Sequence, residues 1–347
     1  MKNTRIRLLV IRSSAMGDVA LVAPVLTGFL RQYPDVEVVM ITRSAFSSFF
    51  NPNQRLSFFF PDFKNRHKGL TGIFRLFNDI NREGEISYII DLHDVLRSKI
   101  LRFLFRLGGV KSSVIDKGRK EKKQVVTGKN KRQLNHSVER YSETFSRAGF
   151  PVSQVKGPWI IPTFAYGSVN ELLSDKAAEL NIGVAPFAKH KLKMWPLDNM
   201  IKLLQLISGT TKCKFWLFGG PEEAVQLNEL VKMVPGAEIV AGKLTLAEEL
   251  DLISRLNFMI AMDSSNMHMA ALAGIRVISI WGGTDPLTGF GAWGQPEEYS
   301  VKIPIGELSC RPCTVFGKGE CRRGDFACMK WLTPEIVFKK LIDLKIL

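Results

Sequence analysis

Apolar residues gather in strand-sized blocks at 6–11, 36–41, 86–90 and 110–115, and amphipathic segments separate the first three. The clearest helical segment spans 18–33. There Val19, Val22, Val25, Leu26 and Phe29 recur at the three- and four-residue spacing of one helix face, and Pro34 stops the run. A Pro- and Gly-containing stretch at 150–162 breaks the rhythm and reads as a crossover. Apolar blocks resume at 182–185, 215–218, 238–240, 258–262 and 277–281, again with helical segments between them. Strands alternating with helices predict parallel sheets covered on both faces, here formed twice, with ligands bound beyond the carboxyl ends of strands, between the domains.

A chain of 347 residues suits two domains at ~150 residues each, and the crossover divides it into 1–155 and 156–330. The last segment, 331–347, is expected to be a helix packing back on the first domain. No apolar run approaches the ~20 residues of a membrane span. Leu8 to Ile11 is too short, and too tightly bracketed by Arg7 and Arg12, for a signal peptide, so a cytoplasmic location is the default.

Charge is distributed unevenly. Residues 1–160 hold 28 Lys and Arg against 13 Asp and Glu, whereas the remainder holds 20 of each. The densest basic stretch, 111–132, has nine basic residues against Asp116 and Glu121. It is either a solvated loop, staying disordered until a partner arrives, or a surface for a polyanion such as nucleic acid, anionic lipid or a phosphorylated sugar. No zinc-finger or RNP motif favours nucleic acid.

The chemistry-bearing residues cluster at predicted strand ends. After the first strand come Arg12, Ser13, Ser14, Gly17 and Asp18, a turn whose small residues allow close backbone approach, Gly17 also tolerating positive φ. Asp18 is either a working carboxylate or a charge complementing a helix N-terminus. Asp91, Leu92, His93 and Asp94 follow the third apolar block. Asp263, Ser264 and Ser265 lead into a helix at about 266–273, where backbone amides and hydroxyls form an anion site or serve simply as caps; His268 lies one turn in.

The basic loop Lys189, His190, Lys191 and Lys193 stands in the charge-balanced half of the chain and suits a diphosphate, a solvated loop being the alternative. Glu222, after Gly219-Gly220-Pro221, either accepts from ribose hydroxyls or is a helix-start acid. There is no P-loop and no dinucleotide fingerprint opening a βαβ unit, which disfavours P-loop hydrolysis and nicotinamide chemistry. Cys310, Cys313, Cys321 and Cys328 have the spacing C-x2-C-x7-C-x6-C. Four thiols offer a structural metal cluster, but the second pair is too widely spaced for a zinc ribbon, and metal-free packing is the expectation.

Together these clusters resemble glycosyltransferase family 9, the lipopolysaccharide heptosyltransferases, over nearly the whole chain. The resemblance rests on Arg12 to Asp18 with Pro24, Asp91-Leu92-His93, Ala185-Pro186 leading to Lys193-Met194-Trp195-Pro196, Asp263 to His268 with Met269-Ala270-Ala271, and Gly283-Thr284-Asp285-Pro286. It implies a GT-B fold, two Rossmann-like doubly wound domains facing each other across a cleft, the first holding the acceptor and the second the nucleotide-sugar donor. It further implies inverting, metal-independent transfer of heptose from ADP-heptose to inner-core lipopolysaccharide, with no cofactor required. Asp18 then matches the family's general base, Lys193 a donor-phosphate contact, and Asp263, Ser264, Ser265 and His268 donor-binding positions. The family usually has Asp-Thr-Gly where this chain has Asp263-Ser264-Ser265, so a hydroxyl is kept and a glycine is lost.

The basic first half fits an anionic glycolipid acceptor, lipid A core, reached by peripheral contact with the cytoplasmic face of the inner membrane. Two other readings fit the same residues: a GT-B transferase with another nucleotide-sugar donor or a protein acceptor, and a non-catalytic basic module on anionic membrane or nucleic acid.

Overall fold

The computed structural model describes residues 6–174 and 179–347. By internal contacts the chain forms two compact units: residues up to Lys117 together with Ser137–Trp159, and Gly118–His136 together with Ile160–Leu347.

The first unit contains β1 (Ile6–Ile11), α1 (Met16–Ala20), α2 (Ala23–Gln32), β2 (Val36–Ile41), β3 (Leu56–Phe59), α3 (Gly69–Glu83), β4 (Tyr88–Asp91), α4 (Leu96–Leu107) and β5 (Lys111–Val114). After α5 (Arg119–Val126), which belongs to the second unit, α6 (Ser137–Arg147) returns to the first. Its five strands are all parallel, in the order β3-β2-β1-β4-β5. Leu8, Leu9 and Val10 are fully buried in succession, as expected of a strand covered on both faces. On one face, Ile73, Leu76 and Ile80 of α3 and Leu101, Leu104 and Phe105 of α4 pack on Leu9, Ile11, Val39, Ile41 and Ile89.

The second unit contributes α7 (Gly167–Leu172), β6 (Leu180–Ala185), α8 (Leu197–Ser208), β7 (Cys213–Leu217), α9 (Ala224–Met233), β8 (Ala237–Ile239), α10 (Leu246–Ser254) and β9 (Phe258–Met262). It continues with α11 (Ser265–Leu272), β10 (Arg276–Ile280), β11 (Ser300–Val301), α12 (Ala327–Lys330) and α13 (Pro334–Asp343). The strand order β11-β10-β9-β6-β7-β8 is again parallel and doubly wound. Each sheet therefore has one switch point, where chain direction across the sheet reverses: between β1 and β4 in the first, and between β6 and β9 in the second. The crevice at the carboxyl end of such a strand pair is where doubly wound sheets bind ligands.

Three expectations are corrected. The helix expected over 18–33 is two helices, broken around Leu21 and Val22, because Pro24 near the start of α2 has no N–H for the preceding turn and its ring crowds the carbonyl four residues back. The 331–347 segment packs into the second unit's own core. Val337 and Leu341 are fully buried there and α13 lies on α8, a burial worth on the order of 3–6 kcal/mol for the two side chains, which settles the helix's place. The basic 111–132 stretch is ordered: it contains β5 and α5, and α5 docks within the second unit through Lys122, 4.0 Å over the Phe290 ring. Two further strands were not expected: β3, although Leu56, Phe58 and Phe59 make it apolar, and β11, which is only two residues long.

Candidate functional site

At the first switch point the parallel register aligns Ile11 with Asp91. Residues equally far beyond the two strand ends therefore face each other. Ser13 Oγ lies 3.3 Å from His93 Nδ1 and Ser14 Oγ 3.2 Å from His93 Nε2, so the imidazole is spanned by two hydroxyls. Burial pushes the His93 pKa down to about 4, with the Arg12 charge adding to the effect, so the ring is neutral at physiological pH. Asp91, completely buried, does not reach outward. Its Oδ1 accepts the His93 and Asp94 amides at 2.9 and 2.8 Å, and its Oδ2 meets Arg102 Nε at 2.8 Å, so it folds the turn that presents His93.

Arg12 is the hub of this turn. It donates through Nη1 to the Leu92 carbonyl at 2.6 Å, and its Nη2 lies 2.5 Å from Asp18 Oδ2. Burial works against the Arg12 charge, but Tyr141 and Asp18 beside it prevail and hold its pKa above the usual value. Asp18 Oδ2 also accepts the Ala15 amide at 3.3 Å, and the Tyr141 hydroxyl donates to the Asp18 carbonyl at 3.2 Å. With a side chain 30% exposed, Asp18 presents a carboxylate of fixed direction at the start of a helix. Gly17 is buried inside α1 and is not among the residues with positive φ, so a left-handed turn does not account for the glycine.

At the second switch point, β6 runs into a helical turn, Lys191–Lys193, and β9 runs into Asp263 and α11. Lys193 Nζ lies 2.8 Å from Asp263 Oδ2, and the same oxygen accepts the Thr284 hydroxyl at 2.8 Å. Ser264 is the N-cap of α11, yet its hydroxyl makes no cap bond; the Oγ is buried without a partner among the described residues. The ammonium of Lys193 thus meets Asp263 immediately before a buried hydroxyl and the head of an eight-residue helix. Ser265 opens α11, and His268 is buried on it. Gly317 packs against the Lys193 stem: at φ +81°, an added Cβ would stand 2.7 Å from Lys193 Cγ.

Glu222 and Glu223 have different surroundings. Glu223 Oε2 takes the Gly220 amide at 2.7 Å, and burial raises its pKa, so it caps the turn while Glu222 remains exposed. The sequence did not single out the support behind this site. Arg311, wholly buried, donates to the carbonyls of Gly282 at 2.6 Å, Thr284 at 3.0 Å and Ile303, and pairs with Asp285 at 3.4 Å; Lys302 meets Asp285 at 3.2 Å. This network fixes the 283–286 turn from which Thr284 reaches Asp263, and Gly283-Thr284-Asp285-Pro286 was its only sequence signal. The four late cysteines are free thiols, and among the described residues no group of three or more His, Cys, Asp or Glu is arranged to hold a metal ion.

The model of glycosyltransferase family 9 (heptosyltransferase) matches residues 73–317. No curated protein matches by sequence. Among solved structures, a glycosyl transferase family 9 protein from Veillonella parvula DSM 2008 is 18% identical, with 99% of this chain and 98% of that one covered and a TM-score of 0.76. The E. coli heptosyltransferase WaaC with ADP is 18% identical, over 98% and 99%, with a TM-score of 0.68. E. coli ADP-heptose lps heptosyltransferase II is 15% identical, over 98% of each chain, with a TM-score of 0.65. At these identities the likeness establishes a shared GT-B fold of two Rossmann-like units.

Proposed function

We propose, from the premise that this chain belongs to glycosyltransferase family 9 and is a glycosyltransferase, that it transfers heptose from ADP-heptose to the inner core of lipopolysaccharide with inversion at the anomeric carbon. In a single displacement the acceptor hydroxyl loses its proton as its oxygen attacks the anomeric carbon, and the bond to the departing diphosphate breaks. Asp18 accepts that proton. Arg12 engages its Oδ2 and sets the direction of the carboxylate, leaving Oδ1 to receive the proton. Ser13, Ser14 and the neutral His93 offer hydroxyl and imidazole groups to the acceptor on the same turn.

The diphosphate gains charge as it leaves. Lys193, the Ser264 and Ser265 hydroxyls and the α11 N-terminus supply positive potential and donors without a divalent ion. Asp263 serves by holding Lys193 and Thr284; a carboxylate placed directly against a diphosphate would repel it. His268 completes the donor cradle from α11, and the exposed Glu222 accepts from the ribose hydroxyls. The acceptor is an anionic, membrane-embedded glycolipid of Kdo-lipid A type, which places the enzyme at the cytoplasmic face of the inner membrane.

The observation that carries this reading is the ammonium of Lys193 held on Asp263 immediately before the α11 cap, an anion cradle at a switch point. A thermal-shift comparison of nucleotide sugars tests it, followed by transfer with the best stabiliser. ADP-heptose is expected to stabilise most and to release ADP only when a Kdo-lipid A acceptor is added, with EDTA present. Preference for another nucleotide would overturn the donor assignment, and a requirement for added Mg²⁺ would overturn the metal-independent departure of the diphosphate.

A further inference from the structure

Most of the first unit's large exposed apolar side chains stand on two neighbouring helices. Leu70 and Phe74 of α3 are 65% and 53% exposed, and Leu96, Phe103 and Leu107 of α4 are 73%, 58% and 71% exposed. Spacings of four, seven and eleven residues place Leu96, the half-buried Ile100, Phe103 and Leu107 along one stripe of α4, and Leu70 and Phe74 form the same kind of stripe on α3. The helices already spend their inner residues on the same face of the first sheet and touch each other through Phe77 and Phe105, 4.8 Å apart. The two outer stripes therefore lie side by side and are surplus to the core. An apolar patch of this kind marks an interaction surface.

The charge around the patch indicates the partner. α4 carries Arg97, Lys99, Arg102 and Arg106 and no acidic residue. Arg102 is engaged inward by Asp91 and Asp94, and Lys99 reaches Asp94 only at 3.7 Å. Lys99 and Arg106, seven residues apart, flank the α4 stripe, and Lys68 and Arg75 are exposed on and beside α3. Exposed Leu and Phe bordered by cations suit the boundary between acyl chains and anionic headgroups, where apolar burial and electrostatic attraction add. Among the described residues no helix is long and apolar enough to cross a membrane.

We infer that the outer face of α3 and α4 docks on an anionic lipid bilayer. Leu96 follows Asp94 by two residues, so this face adjoins the Ser13, Ser14 and His93 turn, and docking there brings a lipid-anchored acceptor to that turn. That last step rests on the transferase reading; the docking itself does not.

Co-sedimentation of the full chain with phosphatidylcholine vesicles, with and without phosphatidylglycerol, tests the inference in the absence of donor and acceptor. The protein is expected to bind only the phosphatidylglycerol vesicles and to be released by salt. The Leu96→Ser, Phe103→Ser, Leu107→Ser variant should partition at least roughly tenfold less, since each removes an inserted side chain. The Lys99→Glu, Arg106→Glu variant should lose at least about fivefold for each charge removed. Both variants should retain wild-type turnover on a deacylated, water-soluble acceptor. No binding, equal binding to both vesicle types, or unchanged binding by either variant would overturn the docking surface while leaving the transferase reading intact. Vesicle binding with no turnover on the soluble acceptor would sink the heptosyl-transfer reading and leave the surface standing.

Discussion

Arg12 Nη2 lies 2.5 Å from Asp18 Oδ2 while Nη1 of the same guanidinium holds the Leu92 carbonyl, so one buried side chain ties the candidate base to the turn bearing His93. A lysine has the charge but not the fork that spans both partners. Arg12→Lys is therefore expected to lower kcat by roughly tenfold to a hundredfold through misplacement of Asp18, with the Kd for ADP unchanged. Steady-state kinetics with calorimetric ADP binding checks this. Unchanged kcat would mean that Asp18 needs no such positioning.

Lys193→Ala removes the only ammonium paired with Asp263 among the described residues and leaves that buried carboxylate near the proposed donor cradle. ADP affinity should fall by about tenfold to a hundredfold, the worth of a charged hydrogen bond. Adding Asp263→Asn to the variant should recover part of the loss by removing the unpaired charge. Equal ADP affinity in wild type and Lys193→Ala would remove Lys193 from the diphosphate.

His93 should titrate near pH 4, because burial and the neighbouring Arg12 charge disfavour its cationic form. A depressed histidine contributes stability that is fully present above its ordinary value near 6.5 and is lost as pH falls through about 4. Ring-proton NMR across that range reads the midpoint directly. A midpoint between 6 and 7 would show the ring to be solvated, not clasped by Ser13 and Ser14.

Glu249 on α10 behaves in the opposite sense. Burial raises its pKa to about 7, so the folded state keeps a proton that the unfolded chain gives up near its ordinary value of 4.5. Its stability is present below pH 4.5 and declines as pH rises through about 7. The Tm of Glu249→Gln should accordingly gain on wild type between pH 5 and 8, as followed by thermal melts at each pH. A constant difference would contradict the burial.

The alternation of apolar blocks was enough to read two parallel α/β units and the loops at their strand ends, because strand periodicity and strand-end position are local properties. The register that brings Ser13 and Ser14 to His93 was not legible. It depends on β1 pairing with β4 at a sequence separation of 80. The directions of Asp91 and Asp263 were not legible either, since a carboxylate's partners in sequence-distant elements, Arg102 and Lys193, decide its direction. Arg311 escaped notice for the same reason: a buried arginine in a cysteine-bearing tail has no local pattern, and its role appears only when the carbonyls of Gly282, Ile303 and Thr284 surround it.

In the proposed transfer Asp18 takes the acceptor proton, and acceptor-dependent ADP release by Asp18→Asn measures that role. Asparagine keeps the shape but cannot accept the proton. Turnover should fall at least about a hundredfold, while ADP binding stays within a few-fold of wild type. Near-normal turnover by Asp18→Asn, with ADP binding intact, would contradict the account.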